Sequence, residues 1–379
     1  MQPAFSLQSA QRLQQIADAR HAVMHDCRSS ATGLAEAWIE RSWQRCLASG
    51  KKPDEALEFD TIAPPVARRL QEANHQLLRA ARPTLEKLGK AIASSRYFAI
   101  LTNAQGMVVD VNGLIDRSDR RIELITRIGA DLSEPSVGTT AIGAALTELQ
   151  PVWLHRGEHF FDSHGAYSCA GAPLFGADGR CAGMLDLTGV DTMERPELKH
   201  LVVQSARSIE NALVRSQPHV LMIRLAWSGD TLGQDSDGLI CIDPDGFVAG
   251  ANPSAREILG QLGSDTAQPI HCNDLFAVSG DLLFDAAKAN AGGRQGGIEL
   301  PLWSGLRVHA LALQSTPYSN ACTPQNIAPP TPDRPLRELE TELIRQAVND
   351  ARGNVMKAAR ALGISRATVY RRLGRNRPD

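Results

Sequence analysis

Two periods of apolar spacing divide this chain. In GLAEAWIERSWQRCLASG, Leu34, Trp38, Ile39 and Trp43 recur at helical spacing, and the chain predicts helices up to about Arg82, punctuated at Gly50 and Pro53. YFAILTNAQGMVVDVNG then predicts two strands around a turn. TTAIGAALTEL predicts a helix, Pro151 opens a strand in PVWLH, and YSCAGAPLFGADGRCAGMLDLTG predicts a hairpin closed by GADG. LKHLVVQSARSIENALVRS follows as an amphipathic helix with Leu198, Leu201, Val202, Ser205, Ile209 and Leu213 on one side.

Pro218 ends that helix, and a second mixed pattern begins. VLMIRLA, LICIDPDGFVAGAN, IELPLW and RVHALAL predict strands, with a helix in PSAREILG and a turn at Ser304–Gly305. From Thr316 to Pro335 the chain holds six prolines and few large apolar residues, so it predicts an extended tether rather than a core.

After the tether, Leu336, Leu339, Leu343, Ile344, Ala347 and Val348 form a helical stripe. Asn354 predicts the N-cap of a second helix that buries Val355, Ala358, Ala359 and Leu362. Gly363 supplies the stop, Ser365 caps a third helix, and Ile364 is placed to staple onto Val369. This is the pattern of a helix-turn-helix with an outward-facing recognition helix.

Charge strengthens that reading. The whole chain has 40 Lys and Arg against 42 Asp and Glu, yet Ala351–Asp379 holds eight basic residues and one acidic residue. Positive charge confined to one small module on an acidic body is the footprint of a polyanion contact, here double-stranded DNA. The expected DNA-contacting residues are Asn354, Ser365, Arg366, Thr368, Tyr370, Arg371, Arg372 and Arg375. Arg366 is placed to read a guanine, and its neighbours to hold phosphates.

With 379 residues, 43% apolar and 22% charged, the chain has material for two or three domains. No apolar run approaches the roughly 20 residues of a membrane helix. The seven cysteines are scattered without a CxxC pair, which fits a reducing cytoplasm and predicts neither a disulfide framework nor a structural zinc cluster. Nothing in the sequence calls for a cofactor, and no catalytic constellation is legible.

The segment LETELIRQAVNDARGNVMKAARALGISRATVYRRL resembles the Fis-type DNA-binding domain at the end of many bacterial enhancer-binding activators. The resemblance implies that Leu336–Val348 belongs to a homodimer core, that Arg366 is the main base reader, and that Ser365, Thr368 and Arg371 lie near phosphates. Tyr370 departs from the basic residue often found there. ERSWQRCLASG together with SVGTTAIGAALTELQPVWLHRGEHFFDSHGAYSCAGAPLFGADGRCAGMLDLTG is similar to the sensory region of the acetoin catabolism regulators, which contains a GAF domain. DGLICIDPDGFVAGANPSAREILG more weakly resembles a PAS-like sensor.

The expected fold is therefore multidomain α+β. It comprises an N-terminal helical segment (1–82), a GAF-like domain (83–215), a PAS-like domain (218–315), a Pro-rich linker (316–334) and an all-α Fis-type domain (335–379). Within the GAF-like part, His155, His159, Phe161, Tyr167 and Cys169 are expected to line or lid a ligand cavity. Alternatively, His155 and His159 are hydrogen-bonded loop residues. HRGEH also spells HxxEH, but Gly157 interrupts it and a strand precedes it, against the helical face a zinc hydrolase needs.

Activators of this resemblance usually carry an ATPase that remodels polymerase holding sigma-54. The sequence contains no GxxxxGK[ST] phosphate cradle and no GAFTGA loop. The expectation is a transcription regulator responding to a small-molecule effector, acting with RNA polymerase or a full-length relative but without its own motor. The alternatives are an architectural DNA-binding protein and a metalloenzyme built on the histidine loop.

Overall fold

A computed structural model describes residues 3–24, 35–57, 59, 62–263, 269–292, 296–315, 344–349, 351, 354–362, 364 and 366–373. The chain opens with α1 (Pro3–Met24), α2 (Ala37–Ala48), α3 (Pro64–Ala73) and α4 (His75–Ile92). β1 (Tyr97–Asn103) and β2 (Val108–Gly113) follow, then the short helices α5 (Arg120–Ile125), α6 (Glu134–Val137) and α7 (Ala141–Glu148). β3 (Val152–His155), β4 (Tyr167–Phe175), β5 (Cys181–Val190) and α8 (Leu198–Arg215) complete this part.

The first sheet is antiparallel, ordered β2-β1-β5-β4-β3. β1 is buried along its whole length because both faces are covered, which is why YFAIL reads as a continuous apolar run rather than an alternation. Tyr97, Ala99 and Leu101 face a cluster with Leu85, Leu88, Leu201 and Ile209 of α4 and α8. Phe98 and Ile100 face the other way, into a cluster with Trp43 of α2, Ala141 and Ile142 of α7, and Phe160 and Phe161.

The expected boundary at residue 82 falls inside α4, which continues through Pro83. Pro83 is solvent-exposed, so the carbonyl its ring leaves without an amide partner is on the wet side of the helix. Nor does the expected N-terminal segment stand apart. Ala19 and Val23 of α1 and Trp38, Ile39 and Trp43 of α2 belong to the same cluster as Phe98 and Ile100.

A second antiparallel sheet, ordered β8-β7-β6-β10-β9, is built from β6 (Leu221–Ala226), β7 (Gly238–Ile242), β8 (Val248–Ala251), β9 (Ile298–Pro301) and β10 (Arg307–Gln314). α9 (Pro253–Ile258) and α10 (Asp281–Ala291) accompany it. In both sheets the first strand pairs with the last, β1 with β5 and β6 with β10.

Two contacts join the sheets. Asn211 of α8 accepts a hydrogen bond from Asn252 Nδ2 at 2.7 Å and donates to the Asp235 carbonyl at 2.8 Å. The tip of the β4–β5 hairpin presents the Ala177 carbonyl to Ala251 N at 3.0 Å and to Arg256 Nη2 at 2.8 Å. That hairpin turns as GADG requires, with Gly179 at φ +81°.

At the C-terminal end lie a helical stretch at 344–349 and two further helices, α11 (Val355–Ala361) and α12 (Arg366–Leu373). Ile344, Val348, Ala358, Ala359, Leu362 and Val369 form one small core, with Ile364 and Leu373 packed on it. Asn354 Oδ1 accepts from the Lys357 amide at 3.1 Å, the N-cap its position predicts. Ser365, Gly363, Arg375 and the 336–343 part of the leucine stripe lie outside the described residues. No described helix is long and apolar enough to cross a membrane.

Candidate functional site: a buried cavity on the first sheet

The face of the first sheet away from α4 and α8 carries a cavity of about 40 Å³. Strand alternation decides which residues reach it. β4 contributes Tyr167 and Cys169, β5 contributes Asp186 and Thr188, and β1 contributes Ile100. The registers Cys169↔Thr188 and Ile100↔Asp186 place these side chains on one face. Ile125, Leu132, Val137, Ile142 and Phe59 supply apolar walls, and His159 and His164 close the remaining side. A single water requires roughly 10–15 Å³ by the same measure, so this space suits a molecule of a few heavy atoms.

Its polar groups are incompletely satisfied. Asp186 is fully buried in the middle strand of the sheet; its Oδ2 accepts the Thr188 hydroxyl, and its Oδ1 has no partner among the described residues. With the Thr188 proton committed to Asp186, the Cys169 thiol at 3.3 Å is left to donate to the Thr188 oxygen. His159 Nδ1 lies 2.9 Å from the Arg156 carbonyl, which only accepts, so Nδ1 carries the proton and Nε2 presents a bare lone pair. That Nε2 is buried without a partner, as is His164 Nδ1. Buried polar atoms are normally hydrogen-bonded, so three orphans around one cavity mark a place for a polar guest.

Burial governs the charge states. Desolvation pushes the Asp186 carboxyl up to about 7. It pulls His159 down to about 4 and His164 down to about 3, so both imidazoles are neutral at physiological pH. The Tyr167 phenol and the Cys169 thiol are pushed up by the same cause and stay protonated.

The histidine loop is held from outside. α1 lies along it, and Arg20 donates through Nη1 to the Gly157 carbonyl (3.2 Å) and through Nη2 to the Phe160 carbonyl (2.5 Å) and Asp162 Oδ1 (2.6 Å). Arg12 pairs with the buried Glu158 at 3.0 Å, and Glu158 Oε2 also accepts the His155 amide at 2.7 Å. From α2, Trp43 Nε1 donates to the Glu158 carbonyl at 2.9 Å. Arg45 grips Glu134 through Nε (2.6 Å) and Nη2 (2.9 Å), while Ser42 donates to the same carboxylate at 2.6 Å. ERSWQRC is thus a clamp on the helices and loop that wall the cavity.

Of the residues expected at a ligand site, His159, Tyr167 and Cys169 line the cavity. His155 does not. It follows Trp153 in β3, shares its face, stacks on it at 5.8 Å and contacts Ser168 Oγ at 3.1 Å, as the hydrogen-bonded-loop reading anticipates. Phe161 stands behind the wall, against Phe160 and His164. Sequence reasoning missed Asp186, whose signal was an acid between two leucines in a strand, and gave His164 no role at the site.

The metalloenzyme alternative fails on geometry. His155 ends a strand, Glu158 ends a single turn of 3-10 helix and already holds Arg12, and His159 follows that turn. No group of three or more His, Cys, Asp or Glu among the described residues is placed to hold a metal.

At the other end, Arg366 is exposed at the start of α12, where a recognition helix presents its first residues, and Tyr370 is half-buried. Asn354 is exposed but its side chain is occupied as a cap. Thr368, Arg371 and Arg372 lie on α12, and their side chains are outside the described set.

A sheet walling a small buried cavity, in one chain with a helix-turn-helix, defines a class: a ligand-sized chamber coupled to a DNA-binding element. Comparison with known families agrees at both ends. Residues 335–375 match the model for bacterial regulatory proteins of the Fis family. Residues 17–211, more than half of the chain, match the MimR N-terminal domain, and the chain belongs to that family.

Curated relatives include the acetoin catabolism regulatory protein of Cupriavidus necator, 31% identical over 236 residues, covering 60% of this chain and 35% of that protein. The acetoin dehydrogenase operon transcriptional activator AcoR of Bacillus subtilis is 26% identical over 228 residues, covering 57% and 36%. The propane 2-monooxygenase operon transcriptional activator MimR of Mycolicibacterium smegmatis is 27% identical over 177 residues, covering 46% and 29%. The matched part of this chain thus spans about a third of each relative's length. Among solved structures, the E. coli DhaR(N)–DhaL complex matches at 15% identity and a TM-score of 0.45, over 74% of this chain and 99% of that one, a likeness too low to define a shared fold.

Proposed function

We propose that this protein is a sequence-specific, DNA-binding transcription regulator whose output responds to a small molecule held in the cavity of the first sheet. The observation that carries the reading is the set of three orphaned polar atoms around a closed chamber, in a chain that ends in a Fis-family helix-turn-helix. In this reading residues 83–215 are a GAF-like sensor that α1 and α2 complete, 218–315 are a PAS-like unit, and 316–334 tether them to the DNA-binding domain. The protein works as a homodimer through Leu336, Leu339 and Leu343, because two-fold symmetry matches a pseudo-palindromic operator.

The curated relatives are named as activators or regulators of catabolic operons, which supports regulation of a similar kind here. With no phosphate cradle in its sequence, the chain acts through an ordinary polymerase or beside a full-length relative that has a motor.

The test is a binding-site selection from random DNA followed by a reporter on the recovered site. A preferred site, together with a response abolished by filling the cavity with His164→Trp while DNA affinity is retained, is the expected result. Binding with no sequence preference would favour the architectural alternative and sink the proposal.

A further inference from the structure

Effector selection falls to Asp186 and His159: we infer that these two residues make the cavity specific for a small uncharged molecule that donates hydrogen bonds, such as an alcohol or a diol. The inference rests on the reading of the cavity as the effector site and goes further by naming what it takes.

Each step follows from atoms already located. Asp186 Oδ1 is buried, unpartnered and on the wall, with Oδ2 already occupied by Thr188. His159 Nε2 is a second unpartnered acceptor on the same wall, because the proton sits on Nδ1 against the Arg156 carbonyl. Two bare acceptors facing one chamber ask for a guest with hydroxyl protons. A guest offering only a carbonyl would leave both unpaired, at a cost comparable to losing each hydrogen bond.

Charge narrows the class further. A carboxylate guest would meet an acid and two lone-pair donors. An ammonium guest needs three acceptors and full desolvation inside apolar walls of Ile100, Leu132, Val137 and Ile142, and one carboxyl does not offset that cost. A hydroxyl is neutral and needs little else.

The other titratable groups facing the chamber are His159, His164, Tyr167 and Cys169. The imidazoles charge only near pH 4 and pH 3, and burial pushes the phenol and thiol upward. Between pH 6 and 8, therefore, Asp186 alone changes state, around 7. Once protonated, it offers its own O–H, and the preference for donors weakens.

The experiment uses the full chain and five compounds of similar size: propan-2-ol, propane-1,2-diol, acetone, propionate and isopropylammonium. Binding is measured calorimetrically at pH 8 and at pH 6. At pH 8 the two alcohols should bind about tenfold or more tightly than acetone, with neither ion binding detectably. At pH 6 the alcohol-to-acetone ratio should shrink. In Asp186→Asn, near-isosteric and uncharged, the ratio should approach one at both pH values.

Acetone binding as tightly as the alcohols, an ion binding best, no binding by any of the five, or a selectivity indifferent to pH would each overturn the inference. The pH comparison needs only the wild type, so it stands even if Asp186→Asn does not fold. Alcohols that bind with this selectivity yet leave DNA affinity and reporter output unchanged would instead defeat the effector reading and leave the specificity intact.

Discussion

Arg20 of α1 donates to the carbonyl oxygen of His159 at 2.5 Å, while the His159 ring lines the cavity from the opposite side of the same loop. One residue is gripped from outside by its backbone and exposed inside by its side chain. Any guest that moves His159 must work against α1, which makes the helix part of the chamber rather than an appendage. Arg20 is itself largely buried, and desolvation is the main influence on its guanidinium, drawing its pKa down against the pull of Asp162.

Removing this grip should be costly. Arg20→Ala leaves the carbonyls of His159 and Phe160 without their donor, and an unsatisfied buried acceptor costs about 1–3 kcal/mol. Urea unfolding should show that loss, and amide exchange should speed up selectively at 157–162. Unchanged exchange in that loop would mean that α1 merely rests on it.

The glycine of AIGAAL has a spatial rather than a conformational reason. A Cβ on Gly143 would lie 2.7 Å from the Glu134 amide nitrogen and 2.9 Å from its Cα, where backbone has no room to yield. Gly143→Ala should therefore push α6 and α7 apart, loosen the Arg45–Glu134 clamp and destabilise the protein by about 1–3 kcal/mol. Thermal unfolding checks this. A neutral result would show that the two helices separate freely.

Glu210 on α8 accepts the Phe175 amide at 3.0 Å, and burial pushes its carboxyl up to about 7. Between its unfolded pKa of about 4.3 and 7 the native state holds the proton more tightly than the unfolded chain. Stability contributed by this group is therefore present at low pH and lost as pH rises through 7. Glu210→Gln keeps an acceptor but cannot ionise. Its stability relative to wild type should rise steadily from pH 4.5 to pH 7.5, and a flat difference across that range would contradict the assignment.

For DNA, Arg366→Ala should cost about 1–3 kcal/mol on the selected site and relax specificity at one base position. Arg372→Ala or Arg375→Ala should weaken all sequences alike and flatten the salt dependence. Leu339→Arg should place an unpaired charge in the dimer seam and lower DNA affinity with it. Competition titrations at two salt concentrations separate these classes.

Much of this protein was legible in its sequence because local rules carry those features. A period of 3.6 placed α8 at Leu198–Arg215, GADG placed the β4–β5 turn, and Asn354 placed the start of α11. Each depends on neighbours within a few residues, and strand alternation alone could have assigned Trp153 and His155 to one face. The cavity was not legible in the same way. Asp186 becomes a site residue only because β5 lies between β1 and β4 with its even-numbered side chains toward the loop side, and His155 fails to become one because its strand turns it away. The residue-82 boundary fell inside α4 because Pro83 lies on the helix's wet face, a fact about packing rather than about proline. Likewise, ERSWQRC was recognisable as a pattern, yet its purpose came from partners about 90 to 115 residues away in the chain, Glu134 and Glu158. Spacing determines helices, turns and caps because those hydrogen bonds close locally; which polar atoms are left unpaired around a chamber depends on every element that walls it, and only the folded chain decides that.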